Sequence, residues 1–307
     1  MRIKLLPEHP NFGFVSKRMI FFVVSALLVA ASVGLFLTKG LSYGIDFTGG
    51  IMIEVKTPQP NQIGDMRAKL GKLELGAIEL QEFGAPDDIL IRVPAQAGGE
   101  KANQAAVNAV KVALGDGIEY RRTELVGPKV SDELFWNGMY AVISAILAIL
   151  VYIWFRFEWQ FGLGAVVALS HDVITTIGVF SLIQHEFNLA TVAAVLTIAG
   201  YSINDTVVVF DRVRENLRKY KTKPMDELLN QSANETLSRT VMTSLTTLLA
   251  LVALYFLGGE IIRDFAFAMI WGVLIGTYSS VCLAVPLLLH MGVQRRTLEE
   301  EAAEQQP

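Results

Sequence analysis

The sequence predicts an α-helical polytopic membrane protein, with six transmembrane helices and a small α+β ferredoxin-like domain between helices 1 and 2. Hydrophobic residues make up 52% of the 307 residues. With the 25 glycines, the apolar share is roughly 60%, above the roughly 45 to 50% of soluble domains. The apolar residues concentrate in six long stretches, whereas the segment between the first two has the short periodic patterns of a folded domain.

Six stretches are long and apolar enough, or nearly so, to cross a bilayer as a helix of about 18 residues or more. They are residues 19–38, 138–155, 160–183, 189–210, 241–257 and 265–289. The predicted organisation is a cytoplasmic N-terminus 1–18, helix 1 at 19–38, an external domain 39–137, helices 2–6 within 138–290 with a cytoplasmic loop 211–240, and a tail 291–307. The even number of spans places both termini on one side of the membrane.

The first apolar stretch is interpreted as a retained membrane helix. Lys17 and Arg18 precede it, which is also typical of a secretory signal peptide. Its apolar run of 20 residues is longer than that of a usual signal, and no cleavage pattern of small residues follows at Lys39 and Gly40. A cleaved signal remains the alternative.

Basic residues in the short loops predict the orientation, because such loops stay on the cytoplasmic side. Fourteen basic residues lie on one side: four in 1–18, Arg156, seven in 211–240, and Arg295 and Arg296 in the tail. The two short loops opposite, 184–188 and 258–264, hold only Arg263. Both termini are therefore predicted to be cytoplasmic, and the long segment 39–137 to be external, since long loops translocate largely regardless of charge.

The external segment has the pattern of a βαββαβ domain. Apolar residues alternate at Ile51–Val55, Ile78–Leu80, Ile89–Val93 and Ile118–Tyr120, they recur at helical spacing in 63–73 and 107–114, and turn residues occupy 84–88. This order is that of the ferredoxin-like plan, an antiparallel sheet with two helices on one face. About 80 residues can bury a modest core without disulfides.

Charge and cysteine content exclude several classes of function. The net charge of −4, from 26 basic and 30 acidic residues, gives no overall basic field and argues against nucleic acid as a partner. Cys282 is the sole cysteine, so the sequence contains neither an internal disulfide nor a cysteine cluster for zinc or iron–sulfur. No cofactor or metal is needed to explain the fold.

Two aspartates inside predicted spans are the main functional candidates. A charged group in a membrane helix costs about 2.5 to 3.5 kcal/mol on insertion scales, so it indicates function by default. Asp172 lies about 18 Å into the third span, near the midplane, and Asp205 lies about 9 Å from the cytoplasmic end of the fourth. Thr197 and Tyr201 share the Asp205 face of that helix, with Asn204 beside it.

The fifth span begins with a matching polar surface. Arg239, Thr243, Thr246 and Thr247 recur at helical spacing, so a guanidinium at the cytoplasmic mouth is followed by a stripe of hydroxyls. Arg239 and Asp205 lie at similar depth and are a candidate ion pair. Burial favours a protonated carboxyl group and a nearby arginine favours the carboxylate, so movement of Arg239 would change the protonation of Asp205. Such a site suits a proton relay driven by the membrane potential.

Each of these residues also has a structural interpretation. Asp205 and Asn204 could bridge helices, His171 beside Asp172 could hydrogen-bond a neighbour, and the threonines could be helix-packing contacts. Arg239 fits the ordinary excess of basic residues at cytoplasmic helix ends. The charged residues 211–215 are most simply a solvated face, and Pro224 is typical of a helix start.

Taken together, several motifs closely resemble the SecF family, the smaller membrane subunits of bacterial SecDF export complexes, relatives of the RND transporter superfamily. They are GIDFTGG at 44–50, HD at 171–172, GYSINDT at 200–206 continuing to DRVREN at 211–216, and SRT at 238–240. The resemblance covers residues 43–289 and includes the six-span layout of half an RND transporter with one external domain.

The resemblance implies a non-enzymatic subunit that uses proton flow to promote preprotein translocation across, and release from, the bacterial cytoplasmic (inner) membrane. The implied partners are SecD, the SecYEG channel, YajC, the SecA ATPase by functional link, the preprotein and membrane lipid. Asp205 resembles the family's essential membrane carboxylate and Arg239 its gating arginine. Asp172 and Asn204 are the implied supporting polar groups, and Thr243 and Thr247 of the hydroxyl stripe complete the candidate ion-coupling residues. Asp46, Gly49 and Gly50 resemble the coupling motif at the domain entrance, although a glycine-assisted turn before a strand explains them equally well.

Three other functions remain as alternatives. The chain could be a scaffold whose membrane charges only stabilise the SecD contact, or half of an RND-type substrate exporter. An intramembrane aspartyl protease is disfavoured, because the two aspartates lie in His-Asp-Val and Asn-Asp-Thr rather than in Tyr-Asp and Gly-x-Gly-Asp. Sodium is the alternative coupling ion, with Asn204, Ser202 and Thr206 as candidate oxygen ligands around Asp205.

Overall fold

A computed structural model of the chain describes residues 10–60, 62–83 and 85–293. The elements, numbered in chain order, are α1 Arg18–Lys39, β1 Ser42–Tyr43, α2 Ile45–Thr48, β2 Gly50–Lys56, α3 Ile63–Leu70, β3 Glu79–Phe83, β4 Ala85–Val93, α4 Glu100–Leu114 and β5 Glu119–Val126. They continue with α5 Pro128–Arg156, α6 Trp159–Ile183, β6 Glu186–Phe187, α7 Leu189–Lys219, α8 Met225–Leu257, α9 Glu260–Ser279, a π-helical turn Ser280–Ala284 and α10 Val285–His290. The basic residues predicted in the N-terminus and tail at Arg2, Lys4, Arg295 and Arg296 lie outside the described residues.

The helices confirm the prediction of six spans. Within the described part of the chain, six helical segments are long and apolar enough to cross a membrane: α1, α5, α6, α7, α8 and the segment Ile262–His290. The last span and α6 and α7 are the most enclosed by the rest of the chain, whereas α1, α5 and α8 are mostly exposed. The apolar surface of these outer helices therefore faces lipid or a partner protein.

The chain divides into two compact units. The sheet-containing unit comprises Tyr43–Ala141 and Glu186–Leu189. Its four-stranded antiparallel sheet has the order β3-β4-β2-β5, which is the strand order of the predicted ferredoxin-like plan. One face of the sheet packs on α3 and α4, and its core is built from Ile51, Ile53, Ile89, Ile91, Val107 and Val110, all buried.

The predicted turn at 84–88 is wrong in its extent. Strand β4 begins at Ala85, and Asp88 pairs with Lys56 of β2. Lys56 Nζ lies 3.1 Å from Asp87 Oδ2, and an Arg121 guanidinium nitrogen lies 3.0 Å from Asp88 Oδ1. Basic side chains of β2 and of the more distant β5 thus compensate two aspartates that would otherwise favour a turn.

The second unit contains most of the membrane helices, which approach one another closely at glycines. A Cβ atom on Gly178 of α6 would lie 2.7 Å from the backbone Cα of Ser32 on α1, and one on Gly272 of α9 would lie 2.2 Å from the Ile198 side chain on α7. Small residues are what allow membrane helices to pack this closely, because contact rather than the hydrophobic effect drives their association.

The predicted cytoplasmic loop 211–240 is mostly helical. Helix α7 continues to Lys219 and α8 begins directly after Pro224, so the connection is only 220–224. The charged residues here alternate with a buried stripe that includes Val213, Leu217 and Leu228. This helical period of apolar residues explains why the high charge content does not produce a loop.

The last span is interrupted, whereas the sequence predicted one continuous helix. A π-helical turn at Ser280–Ala284 separates α9 from α10, and Pro286 follows immediately. Proline has no N–H to donate to the preceding turn, and π-helical turns in longer helices are frequent at functional sites.

We predict that Gly178→Ala destabilises the membrane unit by about 1 to 3 kcal/mol, because the added methyl group forces α1 away from α6. Thermal or denaturant unfolding in detergent would measure the loss. The matched control is Gly34→Ala on α1, where a Cβ meets no atom within 4 Å. Equal stability of the two variants would contradict the close approach at Gly178.

Candidate functional site

Asp172 is the centre of a buried polar cluster that joins three helices. Its side chain is 0% exposed. Oδ2 accepts hydrogen bonds from Ser202 Oγ of α7 at 2.6 Å and from Ser279 Oγ of α9 at 2.7 Å. Oδ1 lies 2.9 Å from His171 Nδ1 on the same helix. Hydrogen bonds from several donors are what allow a carboxylate to be buried in a membrane span.

Local features of α9 and α7 bring the two serines to this carboxylate. Gly276 lies one turn before Ser279, and a Cβ on it would lie 3.2 Å from Ser202 Cβ. Its missing side chain therefore lets α9 approach α7 at the cluster. Ser279 is the last residue before the π-helical turn. The irregular part of the last span therefore begins directly after a residue that donates a hydrogen bond to Asp172.

His171 contacts Asp172 directly, so the neighbour to which it hydrogen-bonds is Asp172 itself. The His171 ring is 3% exposed, and its Nε2 has no hydrogen-bond partner among the described residues. Its centroid is 6.0 Å from that of Tyr278 on α9. The Tyr278 hydroxyl lies 3.0 Å from Ser25 Oγ of α1, which extends this polar region to a fourth helix.

Asp205 has a different environment from that of Asp172. Its side chain is 4% exposed, and its Oδ2 atom has no hydrogen-bond partner among the described groups. One turn earlier on α7, the Tyr201 hydroxyl lies 3.4 Å from Ser244 Oγ on α8. Because α7 and α8 run in opposite directions, this contact places Asp205 level with Thr240, whose buried hydroxyl is also unpaired.

The predicted ion pair between Asp205 and Arg239 is not formed in this structure. Arg239 follows Ser238 on the exposed side of α8, and no described carboxylate lies within 4.0 Å of its guanidinium group. Depth along a helix does not specify which way a long side chain extends.

The threonine stripe lies on the outer surface of α8. Thr243 is exposed and Thr247 is half-buried, and each donates to a carbonyl one turn earlier in its own helix, at 3.1 Å and 2.9 Å. Asn204 of α7 is also exposed. Within this chain, therefore, neither the threonines nor Asn204 is brought into hydrogen-bond contact with Asp205.

The Asp46-Gly49-Gly50 motif forms a compact connection at the start of the sheet. Asp46 lies in the single turn of α2, which the sequence did not predict, and its Oδ2 accepts a hydrogen bond of 3.0 Å from the backbone N–H of Leu189, the first residue of α7. Gly49 has φ +66° and Gly50 φ +118°, and a Cβ on Gly50 would lie 2.6 Å from the Val93 carbonyl oxygen. The turn thus requires both glycines, as the turn interpretation expected. Asp46 in addition caps the start of the membrane helix α7.

Several important residues gave no distinctive signal in the sequence. Ser279 binds Asp172, and the Ser244 and Thr277 hydroxyls of α8 and α9 lie 2.6 Å apart. All three are ordinary hydroxyl residues in apolar helices, and their role depends on which helices are neighbours. Arg92 of β4 and Glu186 of β6 form an ion pair of 2.7 Å with both side chains largely buried, although they are 94 positions apart. For these contacts, the sequence offered one indication: the two adjacent serines Ser279 and Ser280 inside an uncharged span.

No cluster of three or more His, Cys, Asp or Glu side chains suited to a metal ion occurs within the described ranges. The donors around Asp172 are hydroxyl and imidazole groups, which hydrogen-bond the carboxylate directly. The arrangement therefore supports proton and hydrogen-bond chemistry around two membrane carboxylates.

Comparison with known proteins agrees with this architecture. Residues 106–294 match the family profile "Protein export membrane protein SecD/SecF, C-terminal", and residues 34–60 match the SecD/SecF GG motif. A protein translocase subunit SecF from Rhodobacter capsulatus is 48% identical, with 99% of this chain and 96% of the relative covered. Its counterpart from Cereibacter sphaeroides is 49% identical, with 96% and 94% covered.

Two solved SecDF structures show the same fold. The crystal structure of SecDF, a translocon-associated membrane protein from Thermus thermophilus, matches with a TM-score of 0.85 and 36% identity, covering 95% of this chain and 40% of that one. SecDF in its super-membrane-facing form matches with a TM-score of 0.69 and 36% identity, covering 99% and 41%. The chain thus spans about two fifths of each SecDF chain but nearly all of the SecF relatives. By both its family profile and its relatives, the chain belongs to the SecD/SecF family of protein export membrane proteins.

Proposed function

We propose that the chain is an accessory subunit of the Sec protein translocase, paired with a SecD-type partner. It uses the proton motive force to promote translocation of preproteins and their release from the membrane. SecF relatives of near-complete coverage support this assignment. The SecDF chains, of which this chain matches about two fifths, indicate a larger unit that a SecD-type subunit would complete.

The observation that carries the proposal is the contrast between the two membrane carboxylates. Asp172 has three side-chain partners, whereas Asp205 is buried with one oxygen unpaired. An unpaired carboxylate oxygen in a membrane is costly while it is charged, and protonation removes that charge. Asp205 is therefore the proton carrier, and Asp172 is a supporting group that fixes α7, the helix bearing both Ser202 and Asp205.

Arg239 controls the charge of Asp205 from the exposed side of α8. In this structure it acts over a distance without an ion pair, and a closer approach would favour the charged carboxylate. Each proton that moves through the membrane potential yields about 2.3 kcal/mol per 100 mV. The proposed cycle is an alternation between a protonated Asp205 and one paired with Arg239, with Asn204, Thr243 and Thr247 at the adjoining surface where the partner would pack.

The Asp46 cap and the Arg92–Glu186 ion pair are the proposed coupling elements. Asp46 binds the first backbone N–H of α7, and Arg92 joins the sheet to the segment just before that helix. Asp205 is carried by the same helix. Glu186 and Leu189 belong to the same compact unit as the sheet, so a displacement of the first residue of α7 would reach the sheet through these two contacts.

The proposed setting is the bacterial cytoplasmic membrane, with both termini in the cytoplasm and the sheet-containing domain outside. The count of basic residues supports this orientation. SecYEG, SecA, YajC and the translocating preprotein are the further partners of the proposed assembly. We assign no catalytic residue and no cofactor, since the proposed work is movement driven by ion flow.

A scaffold function is the second candidate, and one observation favours it. Arg239, Thr243 and Asn204 are exposed on apolar helices, where a partner helix would satisfy them. If they act only as contacts, neutralising Arg239 would prevent co-purification of the partner without a separate effect on ion flux. An exporter half would instead require a substrate pathway through the chain.

We predict that Asp205→Asn reduces proton flux and potential-dependent export to background in reconstituted vesicles, because the amide cannot carry a proton at this site. The matched control is Asp211→Asn, six residues further along α7, where the carboxylate pairs with Arg156 at 2.9 Å. Imposing proton and sodium gradients separately identifies the coupling ion. Full flux and export in Asp205→Asn would refute the proposal.

We predict that Ser279→Ala destabilises the chain by about 0.5 to 2 kcal/mol, since it removes one donor to the buried Asp172 carboxylate. Ser280→Ala is the control, because Ser280 donates only to the Thr277 carbonyl of its own helix. Unfolding in detergent would compare the two variants. If the two substitutions lower the free energy of unfolding equally, the hydrogen bond from Ser279 to Asp172 does not hold the helices together as we propose.

We predict that Asp46→Ala preserves proton flux but reduces export, since it removes the cap of α7 without touching Asp205. The loss of a helix cap costs about 1 kcal/mol, which hydrogen exchange at the Leu189 amide would detect. Asp46→Asn keeps an acceptor oxygen and should retain most export. Full export by Asp46→Ala would exclude this coupling route.

A further inference from the structure

We propose that a basic pocket at the ends of α5 and α7 binds the phosphate headgroup of an anionic phospholipid. The pocket has a volume of about 530 Å³ and is lined by Arg156, Asp211, Arg214, Glu215, Arg218 and Lys219. Four of these six side chains are basic. The inference is independent of the proton-relay function, because it concerns neither Asp172 nor Asp205.

The two carboxylates of the pocket are already occupied by cations. Arg156 Nη2 donates to both oxygens of Asp211, at 2.9 and 3.0 Å, and Glu215 accepts from Arg212 at 2.6 Å. Over the described part of the chain, no carboxylate lies within 4.0 Å of the side chains of Arg214, Arg218 or Lys219. Three positive charges at this pocket are therefore left without an acidic partner.

Part of the pocket is built on a rigid base. The guanidinium groups of Arg156 and Arg214 lie 5.0 and 5.5 Å from the centroid of the Phe157 ring. Phe157 is buried, and its ring packs against Phe161 and Phe210 of the membrane core. Arg214 also donates to the Arg156 carbonyl oxygen at 3.5 Å. Cation–π contacts and these bonds hold two guanidinium groups in place before a ligand arrives.

The depth of the pocket matches the headgroup layer of a bilayer. Trp154, Phe155 and Trp159, which flank Arg156 in sequence, are 75%, 86% and 62% exposed, and exposed aromatics of this kind mark the membrane interface. Arg214 and Arg218 lie about 4.5 and 10.5 Å along α7 beyond Asp211. A headgroup layer is about 5 to 8 Å thick, so the basic groups extend across it.

Phosphate is the anion that this arrangement recognises best. Guanidinium groups donate two parallel hydrogen bonds to phosphate oxygens, and lysine adds a point charge. Basic pockets between membrane helices on the cytoplasmic side are typical sites for anionic lipid headgroups. An acidic protein segment would fit the charge, but the exposed aromatics favour a ligand with acyl chains beside α5.

The test measures thermal unfolding of the purified full chain in a neutral detergent with added phosphatidylglycerol, phosphatidylcholine or inorganic phosphate at constant ionic strength. We expect saturable stabilisation by phosphatidylglycerol alone. Arg218→Gln should weaken its apparent affinity roughly 5-fold and Arg214→Gln/Arg218→Gln roughly 30-fold, from the usual effect of one or two basic residues at an anionic surface. Lys221→Gln, which removes a charge at the same end but outside the pocket lining, should leave the affinity unchanged.

Other results would overturn the proposal. Equal stabilisation by phosphatidylcholine would show that the acyl chains alone act, and an equal effect of inorganic phosphate would show a free-phosphate site. Stabilisation by an acidic peptide in place of phosphatidylglycerol would assign the pocket to a protein partner. If the double variant does not fold, Arg218→Gln decides alone, because Arg218 is exposed, and an unchanged affinity there would refute the lipid site.

Discussion

The need to satisfy one carboxylate in the middle of a membrane helix determines how three helices of this chain pack. Asp172 can be buried there only if hydroxyl donors from other helices reach it, and Ser202 and Ser279 do so at 2.6 and 2.7 Å. Helices α6, α7 and α9 must therefore approach closely at this depth. Gly276 makes that approach possible, and the regular helix ends directly after Ser279. The hydrogen bonds that one buried carboxylate needs thus determine how apolar helices pack.

The same reasoning separates the two aspartates by function. A carboxylate with its partners in place contributes to a stable arrangement, whereas one with an unpaired oxygen stores free energy that protonation or a moving cation can release. Asp205 lies near the surface where Arg239 and Thr243 are exposed, so the incomplete part of its environment adjoins the part of the molecule that another subunit would cover. The proposed relay is therefore a property of an assembly more than of this chain alone.

The sequence predicted the spans, the ferredoxin-like order and the two membrane carboxylates, because each depends on local pattern or on the scarcity of charge. It could not identify Ser202 and Ser279 as the partners of Asp172, since serines are common in apolar helices and the contact depends on tertiary packing. It gave 211–240 as a cytoplasmic connection with a helix start at Pro224, and α8 does begin directly after Pro224. It did not predict that α7 continues to Lys219, because charge density obscured the apolar stripe through Val213 and Leu217. The predicted Asp205–Arg239 pair is not formed in this structure for a different reason: helical depth gives the level of a residue but not its direction around the axis.

The joined ends of α7 and α8 limit the kinds of movement that ion binding can produce. Only residues 220–224 connect the two helices, and Asn216 bonds Ser232 at 2.9 Å while Arg212 bonds Glu235 at 2.6 Å. A piston-like slide of one helix past the other by a single turn, about 5.4 Å, would break both contacts. The two helices can therefore twist or tilt as one body, and in the proposed relay a change at Asp205 would act as a torque rather than as movement along the membrane normal.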